Sequence, residues 1–365
     1  VIRQMLPHDK SPNFTERRGG HEQPSMIIIH YTGMKTGEAA LERLCDPESE
    51  VSAHYVIEED GRLFPVTDSS LTIYDCLTRE VRKQGVKLLK GHRLLDFQRR
   101  DDKWLLSFKE EKVEVDYLVL ATGSSQAVYT MLEQNDLEII SPLPSLFTFN
   151  AKQHKQLPLA GVSVENATVL IQEIQESRED GPLLITHWGY SAPSILKLSA
   201  WYARELAALD YNFNLIINWN SFNAEELAAQ FKAFGTETPK DKVYSWKGHN
   251  LSKRLWQSLF AEANLQEYTN WSEIGKKGIA RLVTILCDYK VPINGKSTFK
   301  EEFVTAGGIS LETIDINTFE VNNKPDLFAV GEILNIDAVT GGFNFQAAWS
   351  GAFTVASSIS SRINS

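Results

Sequence analysis

The stretch Asp326-Leu-Phe-Ala-Val-Gly-Glu-Ile-Leu-Asn-Ile-Asp-Ala-Val-Thr-Gly-Gly-Phe-Asn-Phe-Gln-Ala-Ala348 decides the fold class. Within it Leu327-Phe-Ala-Val-Gly331 is an apolar run ending in glycine, the pattern of a strand buried on both faces of a parallel sheet. Gly341 and Gly342 then open a helix of small residues, expected from Asn344 to about Ser361. With no side chain on those glycines, the first N–H groups of the helix are unobstructed and carry the positive end of its dipole. Such an end suits an electron-rich group, for example the O2/N1 edge of a flavin, which gains negative charge on reduction. A plain Gly-Gly turn starting a buried helix would read the same way. Ala347, Ala348, Gly351 and Ala352 would let the helix pack closely on the sheet.

A second strand of this kind lies two hundred residues earlier. Val113-Glu-Val-Asp-Tyr-Leu-Val-Leu-Ala-Thr-Gly123 begins with alternation and ends as a continuous apolar run. In open parallel sheets ligands sit beyond the carboxyl ends of the strands, which makes Ala121-Thr-Gly123 and Val330-Gly-Glu332 the two edges of interest. Between them, 142–200 reads as strands and turns. Residues 200–290 read as helices, with Trp201, Leu206, Leu227, Phe231, Leu255, Leu259, Phe260 and Leu282 at helical spacing. Ahead of them, Ile73–Gln84 reads as an amphipathic helix, Val86–Gly91 as a short strand, and 94–108 as a hairpin around Arg99-Arg-Asp-Asp-Lys.

Composition sets wider limits. The 365 residues are 42% hydrophobic and 23% charged, which excludes collagen-like, coiled-coil and wholly disordered chains. A net charge of −10 repels phosphate backbones, so a small-molecule substrate is expected and nucleic acid is not. No apolar run is long enough to span a membrane, and no signal pattern stands at Val1-Ile-Arg-Gln. The three cysteines Cys45, Cys76 and Cys287 are widely spaced, which fits a reducing, cytoplasmic compartment rather than a disulfide framework. Electron acceptor, choice of nicotinamide cofactor and oligomeric state leave no mark on the sequence.

Four motifs in order, Asp116–Gly123, Leu184-Ile-Thr-His-Trp-Gly-Tyr-Ser-Ala-Pro-Ser-Ile-Leu196, Phe303-Val-Thr-Ala-Gly-Gly-Ile-Ser310 and Leu327 through Ala348, resemble one family. It is the BaiN/YhiN-type bacterial NAD(P)/FAD-dependent flavoproteins, relatives of the glutathione-reductase-like flavoproteins, and the similarity runs from about Gly61 to the end. The resemblance implies an α/β fold: an FAD-binding Rossmann-like domain, here 67–123 and 301–365, interrupted by a β-barrel-like segment, 124–200 and 291–300, and a helical cap, 201–290. It implies that Ala121, Thr122, Gly123, Gly331, Glu332, Asp337, Thr340, Gly341, Gly342, Phe343, Asn344 and Gln346 surround FAD, with NAD(P)H as electron donor. Asp337 would reach the ribityl or phosphate region. His187, in Thr186-His-Trp-Gly-Tyr-Ser-Ala-Pro193, is the candidate proton donor; a structural histidine at a turn is the other reading. The family also begins with a G-x-G-x-x-G turn holding the diphosphate, and none occurs here, so FAD binding is expected to be weakened or lost.

The first 66 residues carry a second resemblance. Ile27-Ile-Ile-His-Tyr-Thr-Gly-Met34, Ala39-Ala-Leu-Glu-Arg-Leu-Cys-Asp-Pro47 and Val51-Ser-Ala-His-Tyr-Val-Ile-Glu-Glu-Asp-Gly-Arg62 look like the start of an AmiD-like zinc N-acetylmuramoyl-L-alanine amidase, a peptidoglycan hydrolase. It implies a truncated amidase-like α/β segment over 1–66, with His30 as a zinc ligand. A catalytic zinc needs three protein ligands and an open position, and the chain leaves the pattern after one. Glu59-Asp-Gly-Arg-Leu-Phe-Pro-Val66 fits both families and marks the expected junction. Three functional classes follow: a flavin-dependent oxidoreductase, a zinc amidase, and a non-catalytic chimera of the two.

Overall fold

The computed structural model describes residues 55–57, 63–65, 70–152, 154–296, 304–339 and 342–364. His30, Thr340 and Gly341, and the strand and helix expected before residue 50, lie outside the described residues. The chain is mixed α/β. A hairpin of β1 (Tyr55–Ile57) and β2 (Leu63–Pro65) is followed by helix α1 (Ser70–Lys83). Val86–Gly91, expected as a strand, is irregular. Val86, Leu88 and Leu89 are 57%, 54% and 39% exposed there, so the apolar run finds no sheet to join.

A meander of β3 (Asp96–Arg100), β4 (Lys103–Ser107) and β5 (Lys112–Val115) leads into β6 (Leu118–Leu120). The run expected as one strand, 113–123, therefore divides at Asp116-Tyr117: its alternating half closes the meander, and its apolar half enters another sheet. There β6 pairs in parallel with β17 (Leu327–Ala329), Leu118 opposite Leu327 and Leu120 opposite Ala329. The order of this sheet is β15 (Ile314–Asp315), β16 (Glu320–Val321), β17, β6, which leaves β6 at its edge among the described residues. Arg99 and the Trp104 indole both donate to the Pro325 carbonyl, at 2.9 and 3.1 Å, and tie the meander to the start of β17. One core, containing Phe97, Trp104, Leu120, Tyr129, Leu132, Ile309, Leu327 and Ile333, joins these strands to helix α2 (Gln126–Gln134).

Between β6 and β17 runs a large insertion. β7 (Ile139–Ser145) pairs antiparallel with β14 (Val304–Ile309). A six-stranded antiparallel sheet has the order β13 (Tyr289–Asn294), β12 (Asn212–Asn218), β9 (Ser163–Ile171), β10 (Glu179–Ile185), β11 (Gly189–Ser191), β8 (Phe149–Asn150). Its two outer strands meet: Phe149 bridges to Lys296, and the Asn150 N–H donates to the Gly295 carbonyl at 2.9 Å, so the sheet closes on itself. Helices α3 (Pro193–Trp201), α4 (Ala203–Ala208), α5 (Ala224–Glu237), α6 (Lys253–Glu262) and α7 (Gly275–Cys287) cover it. Strand β12 lies within the stretch read as all helix, 200–290, and corrects that reading. Phe213, Leu215 and Ile217 alternate into the same core as Leu227, Phe231, Leu255, Phe260 and Leu282 of the helices.

Helix α8 (Phe343–Ile363) closes the chain. It runs antiparallel to β17: Val355 packs with Phe328, a Cβ on Gly351 would touch Val330 at 3.4 Å, and one on Gly331 would lie 3.7 Å from the Ala348 Cβ. Its carboxyl end is tied to the start of β17 by Arg362, which bonds Glu320 and Asp326. The amino end of α8 is therefore carried beyond the carboxyl end of β17.

Candidate functional site

The site follows from that geometry. Just past the end of each parallel strand stands a glycine in the left-handed region that glycine adopts most cheaply, Gly123 at φ 63° and Gly331 at φ 77°. Ala121 and Thr122 are exposed past the end of β6. Past β17, Gly331–Ile333 forms a short turn carrying Glu332. Gly342, buried and left-handed at φ 78°, starts α8, and no side chain caps the free N–H groups there. Helix α2 differs, since Ser125 accepts from the Val128 N–H at its start. Among the described residues, the start of the long helix α8 thus has no side-chain cap on its donors.

Strand β14 ties the two ends together. The Thr305 N–H donates to Oε1 of Glu332 at 2.8 Å, and its hydroxyl donates to Oγ of Ser124, one residue beyond Gly123, at 2.7 Å. Gly307 and Gly308 make the approach possible: both have positive φ, and a Cβ on Gly308 would strike the Ile333 carbonyl oxygen, with the Leu334 carbonyl carbon at 2.8 Å. Tyr129 of α2 is 2% exposed and its hydroxyl has no hydrogen-bond partner among the described residues. Burial, with the Glu332 charge second, pushes its pKa up to about 12.

Of the expected ligands, Asp337 accepts from the buried Ser145 hydroxyl at 2.9 Å. Asn344 is spent on the chain itself, accepting from the Ala338 N–H at 3.0 Å and donating to its carbonyl at 3.1 Å, which fixes the loop before α8. Gln346 donates to Ser350 along the helix, and Phe343 is 55% exposed. His187 is not among this group. It stands exposed on the β10–β11 turn of the six-stranded sheet, where Thr186 and Gly189 shape the turn; the Thr186 hydroxyl accepts from the Gly189 N–H at 3.0 Å. Ser124, Tyr129 and Thr305 were not singled out in the sequence. Only Thr305, inside the quoted Phe303–Ser310 motif, left a signal that could have found it. Among the described residues no group of three His, Cys, Asp or Glu side chains could hold a metal, and no helix is long and apolar enough to cross a membrane.

Comparison with known proteins agrees with this architecture. The chain is 28% identical over 321 residues to ribosomal RNA dihydrouridine synthase of Haemophilus influenzae, spanning 84% of this chain and 76% of that protein. The Escherichia coli protein of the same name is 28% identical over 318 residues, 81% and 73% of the two chains. The 3-dehydro-bile acid delta(4,6)-reductase of Clostridium scindens is 23% identical over 302 residues, 79% and 73%. None of these three is an amidase. A family model described as HI0933-like protein Rossmann domain matches residues 42–358, beginning inside the 1–66 segment expected to be amidase-like. The amidase resemblance draws no support from these matches, and a Rossmann match over most of the chain places it in the HI0933-like family.

Proposed function

We propose that the chain is a flavin-dependent oxidoreductase whose cofactor lies across the carboxyl ends of β6 and β17, with its pyrimidine edge at the amino end of α8. The observation that carries this reading is the uncapped, glycine-opened start of α8 aimed beyond those ends. FAD, when bound, would supply two-electron hydride chemistry, with NAD(P)H as the proposed donor. The residues present suit its ring and ribityl end. The α8 N–H groups would stabilise negative charge, Glu332 and the Tyr129 hydroxyl would offer one acceptor and one donor, and Asp337 would stand ready on its Ser145 anchor. His187, exposed on the β10–β11 turn, stands apart from these groups and takes no role in this reading. For the diphosphate end no counterpart stands among the described residues, where β6 is an edge strand, and the sequence has no G-x-G-x-x-G. Binding is therefore proposed to be weak.

The acceptor is proposed to be an unsaturated carbon–carbon bond of a small organic molecule. Support comes from the names of the relatives, one a synthase of dihydrouridine and one a delta(4,6)-reductase. An RNA base as substrate is a second reading, favoured by two of those names, while the net charge of −10 weighs against it. The test is titration of purified protein into FAD, followed by visible absorbance and fluorescence, then anaerobic addition of NADH or NADPH. Perturbed, saturable flavin spectra that Gly342→Pro abolishes support the proposal. Spectra of free FAD at every protein concentration sink it.

A further inference from the structure

A second pocket lies on the six-stranded sheet, in a different sheet from the strand ends. It is a cavity of about 440 Å³ lined by Lys152, His154, Lys155, Glu262, Thr284, Asp288, Tyr289 and Lys290 with Ile285 and Pro292. That volume falls within the range of small-molecule sites. Its floor is a buried polar network. Tyr289, 5% exposed, donates to Oε1 of Glu262 at 2.9 Å, and Gln156, fully buried, donates to the same oxygen at 2.5 Å and to the Tyr289 hydroxyl at 3.0 Å. Beneath it, among the described residues, Oε1 of Gln156 and Nε1 of the fully buried Trp219 have no hydrogen-bond partner, but neither residue lines the cavity, so the case for a ligand rests on the cavity's own lining.

The donor set says which kind. Nδ1 of His154 accepts from the Gln156 backbone N–H at 3.4 Å and lies 3.2 Å from the Tyr190 hydroxyl, which leaves Nε2 as the protonated nitrogen of the neutral ring. Glu262 is engaged on one oxygen by Tyr289 and Gln156, and its other oxygen is 3.9 Å from Lys155. Three ammonium groups therefore stand against two carboxylates, one of them already committed, beside an imidazole N–H and the Thr284 hydroxyl. We propose that this cavity binds a small organic oxyanion, a phosphate monoester or a carboxylic acid, with its charged group toward Lys152, Lys155 and Lys290 and its body over Tyr289. The inference does not depend on the flavin reading.

Calorimetric titration of the full chain with glucose 6-phosphate, inorganic phosphate and citrate, with glucose as the neutral counterpart, tests it. The expected result is saturable binding of a phosphate or carboxylate ligand but not of glucose. In the Lys152→Gln/Lys155→Gln/Lys290→Gln variant it should weaken about tenfold, as expected for three exposed charges. Lys232→Gln, on exposed α5, should change nothing, and the His154 ring resonances should move on saturation while those of His249 stay. Whether phosphates or citrate bind separates the two oxyanion sources. Absence of heat for every anion, or equal affinity in wild type and the triple variant, overturns the proposal. All three lysines are exposed, so the variant's fold is not at risk.

Discussion

The Thr305 backbone N–H lies 2.8 Å from Oε1 of Glu332, so a carboxylate just past the end of one parallel strand is held by the start of strand β14. Replacing Glu332 by Leu leaves that N–H without its acceptor and should cost about 1–3 kcal/mol, read as a lower urea midpoint. Glu332→Gln keeps an oxygen acceptor and should cost less than about 1 kcal/mol. The same Gln variant removes the smaller of the two causes that raise the Tyr129 pKa to about 12. Ultraviolet titration of tyrosine ionisation should therefore show Tyr129 part of the way back toward its ordinary value, with burial still holding it up. No movement at all would mean that Glu332 does not sense this hydroxyl.

Gly308 and Gly85 separate crowding from conformational preference. Both have positive φ, 127° and 71°. Only at Gly308 would a Cβ meet backbone, the Ile333 carbonyl oxygen and the Leu334 carbonyl carbon, whereas Gly85 has nothing within 4 Å. Gly85→Ala should cost about 1 kcal/mol, the left-handed penalty alone. Gly308→Ala adds a collision with main chain that cannot rotate away and should cost more than about 3 kcal/mol, or prevent folding. Equal losses by chemical denaturation would refute the close contact of β14 with the Gly331–Leu334 turn.

Asn344 fastens the loop that carries Asp337 through two bonds to Ala338. Asn344→Ala should cost about 1–2 kcal/mol and open residues 335–339 to limited proteolysis. Ser145→Ala, which removes the bond to Asp337 from the other side, should have a smaller effect on cleavage because the Ala338 clamp survives. The reverse ranking would show that the loop is held from β7.

The glycines made much of this architecture readable. Gly331 and Gly342 mark places where the backbone turns left-handed, a demand that glycine meets at least cost and that needs no tertiary information. The buried runs 118–120 and 327–329 were readable for a related reason: residues buried on both faces leave no polar alternation. What was hidden depends on non-local pairing. Val86–Gly91 has the composition of a strand but no neighbour to bond. Asn212–Asn218 was lost among helices because its role comes from pairing with β9 and β13. Thr305 and Tyr129 matter through Glu332, which is distant from both in sequence. Asn344, expected to face a cofactor, shows the converse: a polar residue at a helix start serves its own loop as readily as a ligand.

Acid should destabilise the fold in two separable steps. His154 and His249 each have a pKa lowered from 6.5 to about 4, burial first and a nearby lysine second. His249 is 6% exposed, stacked on Trp256 at 4.3 Å, with its Nδ1 accepting from the Leu251 N–H. Between pH 6.5 and 4 the unfolded chain binds protons that the folded chain refuses, so stability falls as pH falls through this window and is fully present above it. Glu320, whose pKa is lowered chiefly by its bond to Arg362, acts in a lower window. Its contribution is present above the unfolded value of 4.5 and fades as pH drops through its folded value. Thermal midpoints measured across the range should fall by several degrees in the upper window, about the shift expected of one or two kcal/mol. In His154→Gln/His249→Gln, where neither side chain titrates, the upper slope should flatten while the lower one persists, because Glu320 is untouched. A slope unchanged in that double variant would mean that other groups take up the protons.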